Sequence, residues 1–247
     1  MKIRTGSVLS LAAGALFFLS VAQSAHASSS GLNNIPTTDT PPTKAVVLQT
    51  WFNLGENLSR EMFVGFKTSP IENLEVGLDW RALSNTSHSH ATLQAKYSID
   101  IFPELLPHVW KAAVGIANLS ADRDHNGEPF PFVAASVDLK CFRLHAGFSP
   151  QRYNEAFFFG IDKTVTVLDR NLQFRADAIQ FNDMREMLYS AGFVYEFGRK
   201  SEYQRPEGIL GVLDDIAKNI ILEGWVSMPS DNGQETFTVK LNYVIRW

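Results

Sequence analysis

The sequence predicts an all-β chain, a closed antiparallel transmembrane β-barrel of about 12 strands with one short helix at its periplasmic side. Two observations predict it. Apolar and polar residues alternate with a period of two, and the polar face mixes glycines with charges of both signs. LEVGLDWRA shows the alternation cleanly: Leu74, Val76, Leu78, Trp80 and Ala82 share one face, Glu75, Gly77, Asp79 and Arg81 the other. In ATLQAKYSIDI, Ala91, Leu93, Ala95, Tyr97, Ile99 and Ile101 oppose Thr92, Gln94, Lys96, Ser98 and Asp100. Such segments are strands with one apolar face.

In chain order the segments fall at 45–54, 61–68, 74–83, 91–101, 109–118, 130–139, 141–149, 156–163, 171–180, 187–197, 220–228 and 236–247. The first, sixth, eighth and eleventh are irregular; in AFFFGID, Phe157 and Phe159 share a face that Phe158 does not. The polar face carries Gly65, Gly77, Gly115, Gly147, Gly160 and Gly192 among its charges, a mixture suited to a crowded, concave, wet interior. The candidate lumen-lining residues are Glu75, Asp79, Arg81, Lys96, Lys111, Arg143, His145, Asp162, Arg175, Asp177, Glu196 and Lys240. Acids and bases among them either line opposite walls of a channel and orient small polar solutes, or pair across strands and fill the interior. The other face is aliphatic and aromatic, with Trp80, Tyr97, Trp110, Tyr189, Tyr195, Phe197, Tyr243 and Trp247 towards strand ends, as interfacial girdles are. Lipid tolerates no unpaired strand edge, so such strands must close on themselves.

Connections support the same reading. NLGENLSRE, LSNTSHSH, LSADRDHNGEP and PSDNGQE are polar outer loops, whereas TSPIEN and the step at Lys140 are tight turns. The tenth connection, about 198–219, holds a helical stripe of Ile209, Val212, Leu213, Ile216 and Ile220, expected to pack on the barrel rim, with a place in the barrel mouth and attachment to the membrane as the alternatives.

At the start, Lys2 and Arg4 precede an apolar run from Val8 to Ala22 and the small-x-small site Ala25-His26-Ala27, so residues 1–27 read as an export signal. Residues 28–43 read as an extended periplasmic leader and 44–247 as the barrel. No later stretch reaches the ~20 apolar residues of a spanning helix. A net charge of −4 is mild and of the wrong sign for nucleic-acid binding. Cys141 is the single cysteine, which forbids an internal disulfide; a small residue in a tight turn accounts for it.

The final segment, FTVKLNYVIRW, places Phe237, Val239, Leu241, Tyr243, Ile245 and Trp247 on one face. It resembles the C-terminal signal of bacterial outer-membrane β-barrels, which implies outer-membrane lipid and the barrel-assembly machinery as partners. GLNNIPTT, Gly31 to Thr38, is similar to the Gly-x-x-x-x-Pro-Ser/Thr start of the Yjb-type barrels, which implies a link to exopolysaccharide production.

Little else carries chemistry. In DRDHNGE, Asp122, Asp124 and Asn126 match the first half of a calcium loop, but the acid expected at its twelfth position is Val133. His88, His90 and His125 could form a metal patch if outer loops converge, though solvated loop histidines explain them. His145 sits beside no nucleophile or acid that spacing reveals, and no G-x-S-x-G stretch occurs, so no enzymatic activity is expected, and no cofactor, with a weak calcium ion at the outer DRDHNGE loop as the alternative. The expected function is passage or export of small polar or saccharide solutes. A non-conducting partner of envelope or exopolysaccharide machinery, and a soluble exported β-sandwich or barrel, are the alternatives.

Overall fold

A computed structural model describes residues 30–55, 61–83, 91–101, 109–121, 128–151, 155–181, 186–199, 208–231 and 233–247. Twelve strands form one closed antiparallel barrel in which each pairs with its sequence neighbours and the first closes on the last. They are β1 (Ala45–Gly55), β2 (Glu61–Thr68), β3 (Leu74–Leu83), β4 (Ala91–Ile101), β5 (Val109–Leu119), β6 (Phe130–Asp138), β7 (Arg143–Ser149), β8 (Ala156–Val167), β9 (Arg170–Phe181), β10 (Glu186–Arg199), β11 (Ile220–Pro229) and β12 (Thr236–Arg246). The seam is a continuous ladder from Ala45 opposite Arg246 to Gly55 opposite Thr236, so no edge remains to be covered. At the seam's lower end, the Trp247 amide donates to the Lys44 carbonyl at 3.2 Å.

Period two sorts the side chains as expected. Leu48, Phe52, Phe66, Trp80, Leu93, Tyr97, Ile99, Val114, Val133, Phe157, Phe159, Phe174 and Leu241 face outward and are exposed, a belt that a water-soluble sandwich would not present. No described helix is long and apolar enough to cross a membrane; the strands do so. The irregular segments now have a cause. Trp51, Phe63, Phe130, Phe132 and Phe158 are aromatic yet buried in the interior, which breaks the simple contrast between faces.

Inward glycines make room for two of them, Phe132 and Phe158. A Cβ at Gly147 would lie 2.1 Å from the Phe158 ring, and one at Gly115 would lie 2.5 Å from the Phe132 ring. One row of directly opposed residues crosses four strands: Lys240 over Trp51, Trp51 stacked on Phe63 with centroids 5.0 Å apart, and Arg81 over Phe63. This row stiffens the wall on either side of the seam by aromatic stacking and cation–π attraction.

Strands β8 and β10 outrun the alternation, ending at Val167 and Arg199, and β8 turns into β9 at Leu168 and Asp169, both at positive φ. The tenth connection contains α1 (Ile209–Ala217). Its placement corrects the expectation that its apolar stripe packs on the rim. Ile209, Val212, Leu213 and Ile216 are 76, 53, 55 and 44% exposed, while Gly211 on the other side is buried.

Residues 30–43 are the main departure. They were expected to trail as a leader, yet they run inside the barrel. Gly31 bridges Pro36, and the Leu32 amide donates to the Ile35 carbonyl at 3.1 Å, making a hairpin with residues 32–35 at its tip. Gly31 is obligatory there, because a Cβ would meet the Ile35 carbonyl oxygen at 2.1 Å. Leu32 and Ile35 are buried against Ala113, Ala117, Phe130, Phe132, Phe158 and Ile179, the one cluster of buried apolar residues described. The core of this barrel is therefore built by the wall and the inserted hairpin together.

Candidate functional site: a plugged lumen

Three groups of inward side chains hold the hairpin. At its tip, the Asp177 carboxylate accepts from the backbone amides of Asn33 and Asn34 at 2.9 and 3.2 Å. Ser190 donates to Asp177 at 2.6 Å, and the Asn33 and Asn34 side chains donate to Ser190 and Ser227, both at 2.9 Å. Two successive amides on one carboxylate satisfy donors that a tight turn would otherwise bury unpaired.

The second group lies where the hairpin returns. Lys96, 1% exposed, ion-pairs with Glu75 at 3.5 Å and donates to the carbonyls of Ser30, at 2.6 Å, and Asp39. Glu75 accepts from the Ser30 amide at 2.8 Å, and Ser98 donates to the Thr38 carbonyl at 2.6 Å. The buried lysine and glutamate are thus compensated by each other and by the hairpin backbone.

The third group is a chain of side chains. Arg143 donates to both Asp39 oxygens at 2.9 and 3.0 Å and to Asp162 at 2.8 Å. His145 Nε2 lies 2.8 Å from Asp162, and its Nδ1 lies 2.7 Å from the Ser136 hydroxyl. Burial alone would raise the Asp39 pKa, but Arg143, with Lys96 and His145, holds that carboxyl below its ordinary value. The Ser136–His145–Asp162 connectivity has the outline of a hydrolase triad. Its serine and histidine are buried and its aspartate also binds Arg143, so it links β6, β7 and β8 to the hairpin.

Acids and bases do not face each other across a channel. Glu75 is opposite Lys96, Arg143 opposite Asp162, and Asp162 opposite Arg175 in register on adjacent strands. Asp79 accepts from Gln49 and Gln94 at 2.5 and 3.4 Å. Arg175 pairs with Glu223 at 2.9 Å, and Lys240 approaches the same carboxylate at 3.7 Å. Glu196 accepts from Asn171 at 2.5 Å. Arg81 lies 3.9 Å from Glu61 and over the Phe63 ring, and Lys111 pairs with Asp100 at the exposed periplasmic rim.

A cavity of about 210 Å³ lies against the wall of β8 to β11, lined by Thr164, Asn171, Gln173, Arg175, Glu196 and Glu223 among others.

Sequence reasoning did not single out Asp39, Ser136 and Glu223. Ser136 and Glu223 lie in irregular β6 and β11, but Ser136 is the direct cross-strand partner of His145, so a correct register would have found it. Asp39 carried no signal, since nothing in a Thr- and Pro-rich stretch marks it as internal. The calcium-loop residues Asp122, Asp124 and Asn126, and His88, His90 and His125, lie outside the described residues. Among the described residues no group of three metal-ligating side chains gathers. Cys141 is exposed in the β6–β7 turn.

A closed antiparallel barrel with an apolar outer belt and a polar interior defines a bacterial outer-membrane β-barrel. No protein-family model matches the chain, and no curated protein matches its sequence. Among solved structures, the KdgM porin aligns with a TM-score of 0.51 and 11% identity, over 80% of this chain and 98% of the porin. The KdgM porin in complex with disordered oligogalacturonate gives 0.51 at 9% identity, over 81 and 98% of the two chains. The Acinetobacter baumannii outer membrane protein Omp33 gives 0.43 at 8% identity, over 83 and 98%. At these identities the likeness is one of fold, and the fold is that of porins.

Proposed function

We propose that this barrel is a narrow, gated passage for small polar or saccharide solutes, closed in this conformation by its own residues 30–43. One observation carries the reading: the interior grips an extended hydrogen-bonding chain through Asp177, Lys96, Ser98 and Arg143. Groups that hold backbone amides and carbonyls can hold sugar hydroxyls once the hairpin withdraws. The mutual pairing of acids and bases favours neutral solutes over strongly charged ones. The likeness in fold to the KdgM porin in complex with disordered oligogalacturonate supports a saccharide as the solute.

Planar-bilayer recording of the refolded chain tests the gate. The native chain is expected to show rare, brief openings, and Leu32→Asp/Ile35→Asp, which makes the hairpin seat untenable, steady discrete steps. Absence of steps from both would remove the pore reading. A second reading would then stand, a non-conducting partner of envelope or exopolysaccharide machinery, favoured by an interior filled with ion pairs. On either reading the outward residues Phe237, Val239, Leu241, Tyr243, Ile245 and Trp247 serve as the assembly handle for the barrel-assembly machinery.

A further inference from the structure

The cavity against β8 to β11 takes no part in holding the hairpin. Its lining comes from the wall alone, and no residue of 30–43 contributes to it. Arg175 is the next inward residue from Asp177 on β9, Val194 and Glu196 follow Ser190 on β10, and Ile221 and Glu223 precede Ser227 on β11. On all three strands the cavity residues lie to the periplasmic side of the residues that hold the hairpin tip. Asn171 and Ile221 are the second residues of β9 and β11, so the cavity sits at the periplasmic end of the lumen.

Part of its polar lining is already committed. Glu223 accepts from Arg175 at 2.9 Å and from Asn242 at 2.5 Å. Arg175 also donates to Gln173 at 2.8 Å, and Asn171 donates to Glu196 at 2.5 Å. Among the described residues these bonds leave unused the Thr164 hydroxyl, the Gln173 Nε2 amide, the second Arg175 Nη and the second Glu196 oxygen. None of these atoms is shut away from solvent. Donors, an acceptor and a hydroxyl around one space complement a ligand that carries several hydroxyls. Val194 and Ile221 add an apolar patch against which the C–H face of a ring can lie. At about 210 Å³ the cavity is smaller than the roughly 300–1,000 Å³ of sites for drug-sized ligands, which suits one sugar ring rather than an oligomer.

Charge narrows the class further. The lining holds two carboxylates and one guanidinium, and Arg175 is already paired with Glu223. Glu196 has Asn171 for a partner and no cation among the described residues. An anionic sugar would bring its carboxylate up to that charge; a neutral or amino sugar would not. The geometry points to a sugar subsite in this cavity, built for a single neutral or amino-substituted pyranose unit and selective against uronates. The subsite rests on the reading of the barrel as a saccharide passage, and it gives the solute a place on the periplasmic side of the seated hairpin.

Saturation-transfer NMR on the full-length chain refolded in detergent micelles tests it, with glucose, glucosamine and glucuronate as probes. Glucose and glucosamine are expected to receive saturation from the native protein, and glucuronate to bind at least about tenfold more weakly. Thr164→Tyr, which fills the cavity, is expected to abolish transfer while heat-modifiable migration is retained. Gln173→Tyr fills the same space from the cross-strand partner of Thr164, should the first variant not fold. Glu196→Gln is expected to remove most of the discrimination against glucuronate. No transfer to glucose and glucosamine, equal binding of glucuronate, or binding untouched by the filling variants would each overturn the subsite. Sugar binding without conductance steps from Leu32→Asp/Ile35→Asp would count against the pore alone, and steps without sugar binding against the subsite alone.

Discussion

At the scale of single residues, Arg143 is the hinge of the interior, joining Asp39 of the hairpin to Asp162 of the wall. Hydrogen bonds to charged groups contribute about 1.5–3 kcal/mol when shielded, and less when half-exposed as Asp39 is. Arg143→Gln is therefore expected to loosen the hairpin by about 1–2 kcal/mol, raising the open fraction in single-channel records roughly 5- to 30-fold. The acid response follows from Asp39. Its pKa is lowered when seated, so its contribution is fully present above the value in the released segment, about 4, and is lost as pH falls through the seated value. Openings are expected to stay rare from neutrality down to about pH 5 and to rise only in strong acid, and Asp39→Asn should flatten that response. The wall half of this pair, Arg143 and Asp162, was legible in the sequence by strand parity; the hairpin half was not. Asp39 lies among threonines and prolines, whereas Glu75, Lys96, Asp162 and Asp177 announced themselves by strand parity.

At the scale of elements, the strands were legible because one apolar face repeated at period two, and the observed ends agree with the alternation to within a few residues. The ragged segments failed to announce their faces because large aromatics point inward, and in β6, β8 and β11 they occupy spaces left by glycines on neighbouring strands. Two of those glycines separate wall from gate. At Gly160 a Cβ would meet the ends of the Leu32 and Ile35 side chains at 2.3 and 2.8 Å, contacts with the hairpin. At Gly147 it would meet the Phe158 ring and the Val133 carbonyl oxygen, contacts with the wall. Gly160→Leu is expected to fold, keep heat-modifiable migration and conduct more. Gly147→Leu is expected to lower the yield of folded barrel. The GLNNIPTT stretch was legible as a motif and illegible as a place, because a turn looks the same from sequence whether water or a barrel surrounds it.

At the scale of the whole molecule, closure rests on the β1–β12 ladder, with its outward Phe237, Leu241, Ile245 and Trp247 exposed along the seam. Removing Trp247 is expected to reduce the amount of barrel inserted in the outer membrane, measured by heat-modifiable migration in membrane fractions, with little change in the conductance of the protein that does insert. Strand count, antiparallel order and membrane-facing belt could be read from the chain because each depends on local alternation. The filled lumen could not, since it depends on contacts between residues 30–43 and strands up to about 190 positions away, at Ser227.

The path of the hairpin has a mechanical consequence. Its tip reaches Asp177 and Ser227 on the far wall, but both of its ends, Ser30 beside Glu75 and Thr43 beside Ser69, return to the tight-turn side. A pull on the chain upstream of Ser30, directed into the periplasm, would load the contacts one after another, from Glu75 and Lys96 to the tip. Contacts broken in sequence yield at far lower force than the same contacts sheared together. A hairpin held in this way is strong against thermal agitation and weak against a tug, which is how a zip behaves.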